Sequence, residues 1–199
     1  MAIKMPNLFF IFCFLGIVST SNAQQSNIIL FTADDMGIQM GALNTPGVKT
    51  PAIDQLIKEG VFLTKAYAAF PSCSPSRTSI LTGTYPHEHG VTTNVNEVLP
   101  ELSATGTAKQ SALNIQFAVK SEIVTLPEVL KNKGYYTGLT GKFHVSSPEK
   151  FPFDYWSKET KADEFFKQAK INNKPFFLDI NVHSPHRPYV KSPYDRNII

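Results

Sequence analysis

A chain of 199 residues, 42% hydrophobic and 18% charged, is long and apolar enough for one domain with a sizeable core. No internal repeat or low-complexity tract divides it. A formal net charge of +3 is close to balance and argues against a nucleic-acid binder or a polybasic membrane-surface protein.

In chain order, the first predicted element is a targeting segment. Lys4 precedes the apolar run Leu8 to Val18, and small residues at Ser21 and Ala23 follow at signal-peptidase spacing. Residues 1–23 therefore read as a secretory signal peptide cleaved after Ala23, leaving 24–199 as the mature portion, with no membrane association after cleavage. Cys13 departs with that segment, so Cys73 remains as the sole cysteine of an exported chain and has no internal disulfide partner. The count leaves two readings open: a buried small hydrophobe, or a thiol that is intermolecular, reactive or modified.

Asn27–Thr32 is a continuous β-branched run that predicts a strand buried on both faces. Thr50 to Gly60 predicts a helix with Thr50 able to cap it, Pro51 in its first turn and Gly60 as its stop. Val61–Ala68 reads as a second extended segment. Pro75 suits the first turn of a helix running through Arg77, Ile80 and Leu81 to Gly83, with Cys73 at or just before its N-terminus. The polar stretch Pro100–Ser111 reads as an exposed loop. A helix over Thr125–Gly134, a strand over Tyr135–Thr140, a helix over Asp163–Lys170 and a strand over Phe176–Val182 complete an alternation that predicts an α/β domain with a largely parallel central sheet flanked by helices.

The chemistry-bearing residues fall at the ends of those strands. Asp34 and Asp35 follow the first, Lys142 and His144 follow Tyr135–Thr140, and His183 and His186 follow Phe176–Val182. Ligands of parallel sheets bind outside the carboxyl ends of the strands, so these residues are expected to share one crevice. Cys73 at a helix N-terminus, with Arg77 one turn in, would favour an anion beside it or a plain cysteine nucleophile. Pro185 argues against His183 and His186 as a helical zinc pair. His87 and His89 in Y-P-H-E-H-G are expected to shape a loop.

C-S-P-S-R (Cys73 to Arg77), followed by T-S-I-L-T-G and Y-P-H-E-H-G-V, resembles the signature of the formylglycine-dependent sulfatases of the alkaline-phosphatase-like superfamily. The resemblance runs from about Ser26 to Arg187. Through G-K-F-H-V-S-S-P-E-K-F-P-F-D and K-P-F-F-L-D-I-N-V-H-S-P-H-R it is similar to the sulfamidases, the N-sulfoglucosamine sulfohydrolases, among them.

That resemblance implies that a maturation enzyme oxidises Cys73 to Cα-formylglycine, whose hydrate attacks sulfur and later expels sulfate through its second hydroxyl. It implies a divalent cation, Ca²⁺ in most relatives, on Asp34, Asp35 and residue 73. Arg77 would orient the diol, Lys142 would neutralise the transferring group, and His144 would bind the diol. His183 would serve the leaving atom, with Lys142, His183 and His186 touching substrate. Ser76 is assigned to maturation-enzyme recognition and capping.

The implied substrate is a sulfated saccharide, N-sulfated glucosamine of heparan-type chains first and an O-sulfated sugar second. The implied location is periplasmic or extracellular, or lysosomal in a eukaryote. The family also draws metal ligands from a later T-S-D-N-G-like segment that this sequence lacks. The expectation is thus a truncated N-terminal portion, inactive by itself. Competing readings are a phosphoesterase of the same superfamily and an inactive sulfatase-like glycan binder.

Overall fold

The computed structural model describes residues 25–95 and 118–186. The expected signal peptide at 1–23 and the expected loop at 100–111 lie outside them. Four strands form one sheet: β1 (Ile28–Ala33), β2 (Tyr136–Gly141), β3 (Tyr155–Ser157) and β4 (Phe176–Val182), in the order β1-β4-β2-β3. Every pairing is parallel, with Leu30 and Leu139 both in register with Asp179. The expected largely parallel sheet is what the chain adopts, and it puts all strand carboxyl ends on one side.

Alternation along β4 decides what each face holds. Phe176, Leu178 and Ile180 face α5 (Ala162–Asn172), where buried Phe165 and Ala169 pack on Leu178, Tyr136 and Tyr155. Phe177, Asp179 and Asn181 point to the opposite face, toward α2 (Cys73–Thr82). There Leu81, Val91, Leu139, Phe143, Val145 and Phe151 make the larger apolar cluster. Phe143 is its centre, with ring contacts to Trp156 at 4.8 Å and Phe151 at 5.2 Å. Burial of each such ring contributes about 1.5–3 kcal/mol.

The other α-helices among the described residues are α1 (Pro51–Glu59), α3 (Pro86–His89) and α4 (Leu126–Asn132). Thr50 stands at the N-cap position of α1, yet its hydroxyl accepts from the Gly41 amide at 2.9 Å and donates to Asp54 at 2.7 Å instead of capping. The extended segment expected at 61–68 is not a strand. Among the described residues no sheet edge receives it, and Val61 and Leu63 are exposed. Conversely, β3 was not foreseen, because three residues are too few to show a period.

The end of β2 needs glycine. Gly141 has φ 82°, and a Cβ there would fall 1.9 Å from the carbonyl oxygen of Asn181. This close approach lets the Lys142 amide donate to that same oxygen at 3.3 Å as the chain leaves the sheet. Gly141→Ala is therefore expected to destabilise the fold by at least about 2 kcal/mol, read as a lower midpoint in denaturant unfolding.

Candidate active site

β1 ends by delivering Asp34, whose amide donates to the Val182 carbonyl at 3.0 Å and whose side chain is buried. Asp35, next, is exposed and adopts φ 58°, a left-handed conformation that aspartate tolerates and that turns the chain away from the sheet. β2 delivers Lys142. Its ammonium lies 2.6 Å from one Asp34 oxygen, while the Arg77 guanidinium lies 3.2 Å from the other. All three side chains are at most 7% exposed, so one carboxylate joins two buried cations. Burial alone would raise the Asp34 pKa. The hydrogen bond from Lys142 and the charges of Arg77 and Lys142 outweigh it and hold the group below its ordinary value.

Helix α2 begins at Cys73 and ends at Gly83, which takes φ 68°. Its first turn is capped from a distance, since Asn94 Oδ1 accepts the Ser74 amide at 3.0 Å and the Ser72 hydroxyl at 2.8 Å. Ser74 Oγ in turn accepts the Val95 amide at 3.1 Å, so residues 94 and 95 strap the helix start. Cys73 Sγ lies 3.7 Å from Asp34 Oδ1. Burial, then the Asp34 charge, push the thiol above its ordinary pKa, with Lys142 and Arg77 opposing. A plain thiolate nucleophile needs the opposite shift.

A cavity of about 530 Å³ opens over this cluster, lined by Asp34, Asp35, Cys73, Arg77, Asn94 and His186 among others. Ligand atoms of Asp34, Cys73 and His186 lie within 4.8 Å of one another, and His186 Nε2 is 3.8 Å from Asp35. Of the two expected histidines, His186 lines the cavity, whereas His183 lies behind it, with ring centroids 4.9 Å apart and its amide donating to Glu159. His144 takes φ 49° and places Nε2 2.6 Å from the Val95 carbonyl oxygen, joining the strap that caps α2.

His89 is a separate matter. It is fully buried, with Nε2 3.0 Å from Ser79 Oγ. The Val91 amide donates to its Nδ1 at 3.1 Å, so the proton sits on Nε2 and is given to Ser79. That tautomer cannot take the serine proton, and burial lowers the ring's pKa. The pair is structural, as expected for this loop. His87 stacks on Tyr85 at 6.0 Å.

Three residues of the network escaped the sequence reading: Asn94, Asp179 and Asn181. For the last two the signal was present, namely polar side chains two apart inside a strand that otherwise reads as apolar.

A parallel α/β sheet with carboxylates, buried cations and a helix N-terminus gathered at its carboxyl ends defines an α/β protein with an anion-directed crevice. The sequence model of the sulfatase family matches residues 26–167, and the chain belongs to that family. It is 29% identical over 188 residues to human N-sulphoglucosamine sulphohydrolase, covering 87% of this chain and 34% of that protein. It is 34% identical over 152 residues to rat (Rattus norvegicus) N-acetylgalactosamine-6-sulfatase, covering 71% of this chain and 27% of the relative. The chain thus spans about a third or less of these relatives' length. The crystal structure of Ps i-CgsB in complex with k-i-k-neocarrahexaose shares the fold at TM-score 0.70 and 24% identity, over 86% of this chain and 48% of that one. So does an alkaline phosphatase superfamily protein from Vibrio parahaemolyticus, at TM-score 0.56 and 22% identity, over 85% and 43%.

Proposed function

We propose that this chain forms the N-terminal part of the catalytic domain of an exported sulfatase that removes sulfate from a sulfated saccharide. N-sulfated glucosamine of heparan-type glycans is the substrate class. The observation that carries the reading is Cys73 of S-C-S-P-S-R standing at the first residue of α2, 3.7 Å from Asp34 at the wall of the cavity. The likeness to human N-sulphoglucosamine sulphohydrolase supports the N-sulfate preference. Export rests on the signal-like residues 1–23. Among the described residues no helix is long and apolar enough to cross a membrane.

The residues present fit a divalent cation. Asp34 and Asp35 line the cavity beside residue 73 and would supply the oxygen donors that Ca²⁺ prefers, while the ligand atoms within 4.8 Å of one another are those of Asp34, Cys73 and His186. His186, a nitrogen donor, suits hydrogen bonding to substrate better than a hard cation. The cation would supply charge stabilisation at the sulfuryl oxygens. Residue 73, oxidised by a maturation enzyme to formylglycine, would supply a hydrated carbonyl as oxygen nucleophile and a means of release.

The chain's own side chains do the rest. Arg77 and Lys142 bring two buried positive charges against the anionic group, at fixed positions set by Asp34. His144 holds the strap at the helix start and would contact the diol through a shift of its ring from the Val95 carbonyl. His183 or His186 donates to the leaving nitrogen or oxygen.

Peptide mass analysis at position 73 of the exported full-length product, made alongside a maturation enzyme, is expected to show the aldehyde in place of the thiol. Incubation with N-sulfoglucosamine and with O-sulfated sugars should release sulfate from the N-sulfate. Release from O-sulfates alone would remove the sulfamidase assignment. A fully active preparation with an intact thiol would remove the sulfatase one.

A further inference from the structure

β4 is an interior strand, yet it carries Asp179 and Asn181 on the face that meets α2, each 3% exposed. Arg77 Nη1 donates to Asn181 Oδ1 and to the Lys142 carbonyl at 3.1 Å. Asn181 stands two residues from Asp179 on the same face of β4, and its side-chain amide favours the charged form of the Asp179 carboxyl. An amide offers oxygen on one side and N–H on the other. With a guanidinium at one end and a carboxylate at the other, both neighbours demand the same orientation. A flipped amide would set donor against donor at Arg77.

The Asp179 carboxylate itself is costly. Its Oδ1 has no hydrogen-bond partner, and it borders a void of about 10 Å³ beside Leu30, Thr32 and Phe143, at the lower limit for one water. Leu30 and Leu139 flank it from β1 and β2, and Arg77 on α2 is the charged group acting on it. Burial pushes its pKa up to about 6, against the opposing pull of Asn181 and Arg77. A buried carboxyl held at such cost with one oxygen unpaired marks a position kept for something other than stability.

We infer that Asp179 and Asn181 are positioning residues: the carboxylate orients the Asn181 amide, and the amide fixes the Arg77 guanidinium toward Asp34 and the cavity at Cys73. The inference rests on the proposed sulfatase reading for what Arg77 then does. Neither residue reaches the cavity, so both act through Arg77.

The test uses Asp179→Asn and Asn181→Ser in the full-length matured protein, with the sulfate ester or sulfamate that the wild type hydrolyses. Asp179 is raised in the folded state. Wild-type stability therefore falls as pH rises from the ordinary carboxyl value toward about 6, and the non-titrating variant escapes that loss. Asp179→Asn is expected to melt several degrees higher at pH 8, with the gap shrinking below pH 6 and closing only near pH 4. Its kcat should drop about 10- to 100-fold with little change in KM. Asn181→Ser should lose kcat to the same extent without gaining stability.

Higher stability together with lower kcat is a combination that a merely structural residue does not produce. Wild-type kcat in either variant, or activity lost only in step with stability, would overturn the inference. Should the wild type hydrolyse no sulfate compound, the sulfatase reading fails, and the relay is then judged by a melting cycle of Asn181→Ser with Arg77→Met. Non-additive shifts support the relay, and additive ones overturn it.

Discussion

Alanine at position 73 is expected to take hydrolysis of the sulfated substrate to the assay floor, a loss of at least about 10³-fold, while the fold survives. The first turn of α2 does not depend on the thiol. Asn94 Oδ1 takes the Ser74 amide, the Ser72 carbonyl takes the Ser76 amide, and Ser74 Oγ takes the Val95 amide. Cys73 itself contributes only a long contact of 3.7 Å to Asp34. Removing the sulfur leaves Asp34, Lys142 and Arg77 in place, so charge stabilisation is kept and the nucleophile is lost. A melting temperature within about two degrees of wild type, measured beside steady-state rates, separates the chemical effect from a folding one. Serine makes a sharper variant: its hydroxyl could accept a sulfuryl group once, but with no second oxygen on that carbon it could not expel sulfate. The outcome is a stoichiometric burst at most. Undiminished turnover by the alanine variant would take residue 73 out of the reaction and the proposed function with it.

The sheet was legible because β1 and β4 are long apolar runs with abrupt polar ends, and because each helix carries its own punctuation. The burial expected on both faces of β1 is not found, since among the described residues β1 is an edge strand with Ile29 and Phe31 exposed. Pro75 and Gly83 bracket α2 close to where the sequence puts them. What failed was the segment at 61–68: Val61, Phe62 and Leu63 have strand-like composition, but a strand needs a neighbour, and pairing is not a local property. At the site, strand-end position picked out Asp34, Lys142 and His186 without any fold in hand. The resemblance put His183 first for the leaving atom, whereas His186 is the one that lines the cavity; both lie in one short turn, closed by a hydrogen bond from the His186 amide to the His183 carbonyl. Asn94 was beyond reach, since nothing in Thr92-Thr93-Asn94 shows that its side chain caps a helix that starts twenty-odd residues earlier.

Asp34→Asn is expected to be the most destabilising single change at the site. Lys142 and Arg77 have side chains only 5% and 7% exposed, and both lean on this carboxylate. Asparagine keeps the shape and strips both buried cations of the carboxylate they touch, a loss of about 3–5 kcal/mol by the measure of broken buried ion pairs. The sign with pH follows from the lowered pKa of Asp34. Its contribution is complete above the ordinary carboxyl value and is lost as pH falls through the folded value, so the gap between wild type and variant narrows toward acid. This is the reverse of Asp179, whose substitution gains most at high pH, although the two carboxyls are linked through one guanidinium. Adding Lys142→Met to Asp34→Asn removes one stranded charge, and chemical denaturation should show part of the stability returning. Activity should not return with it, because the double variant lacks both the anionic donor for the proposed cation and the positive charge proposed to face the sulfuryl group. If the double variant is no more stable than Asp34→Asn, the ion pair is not what holds this end of the sheet.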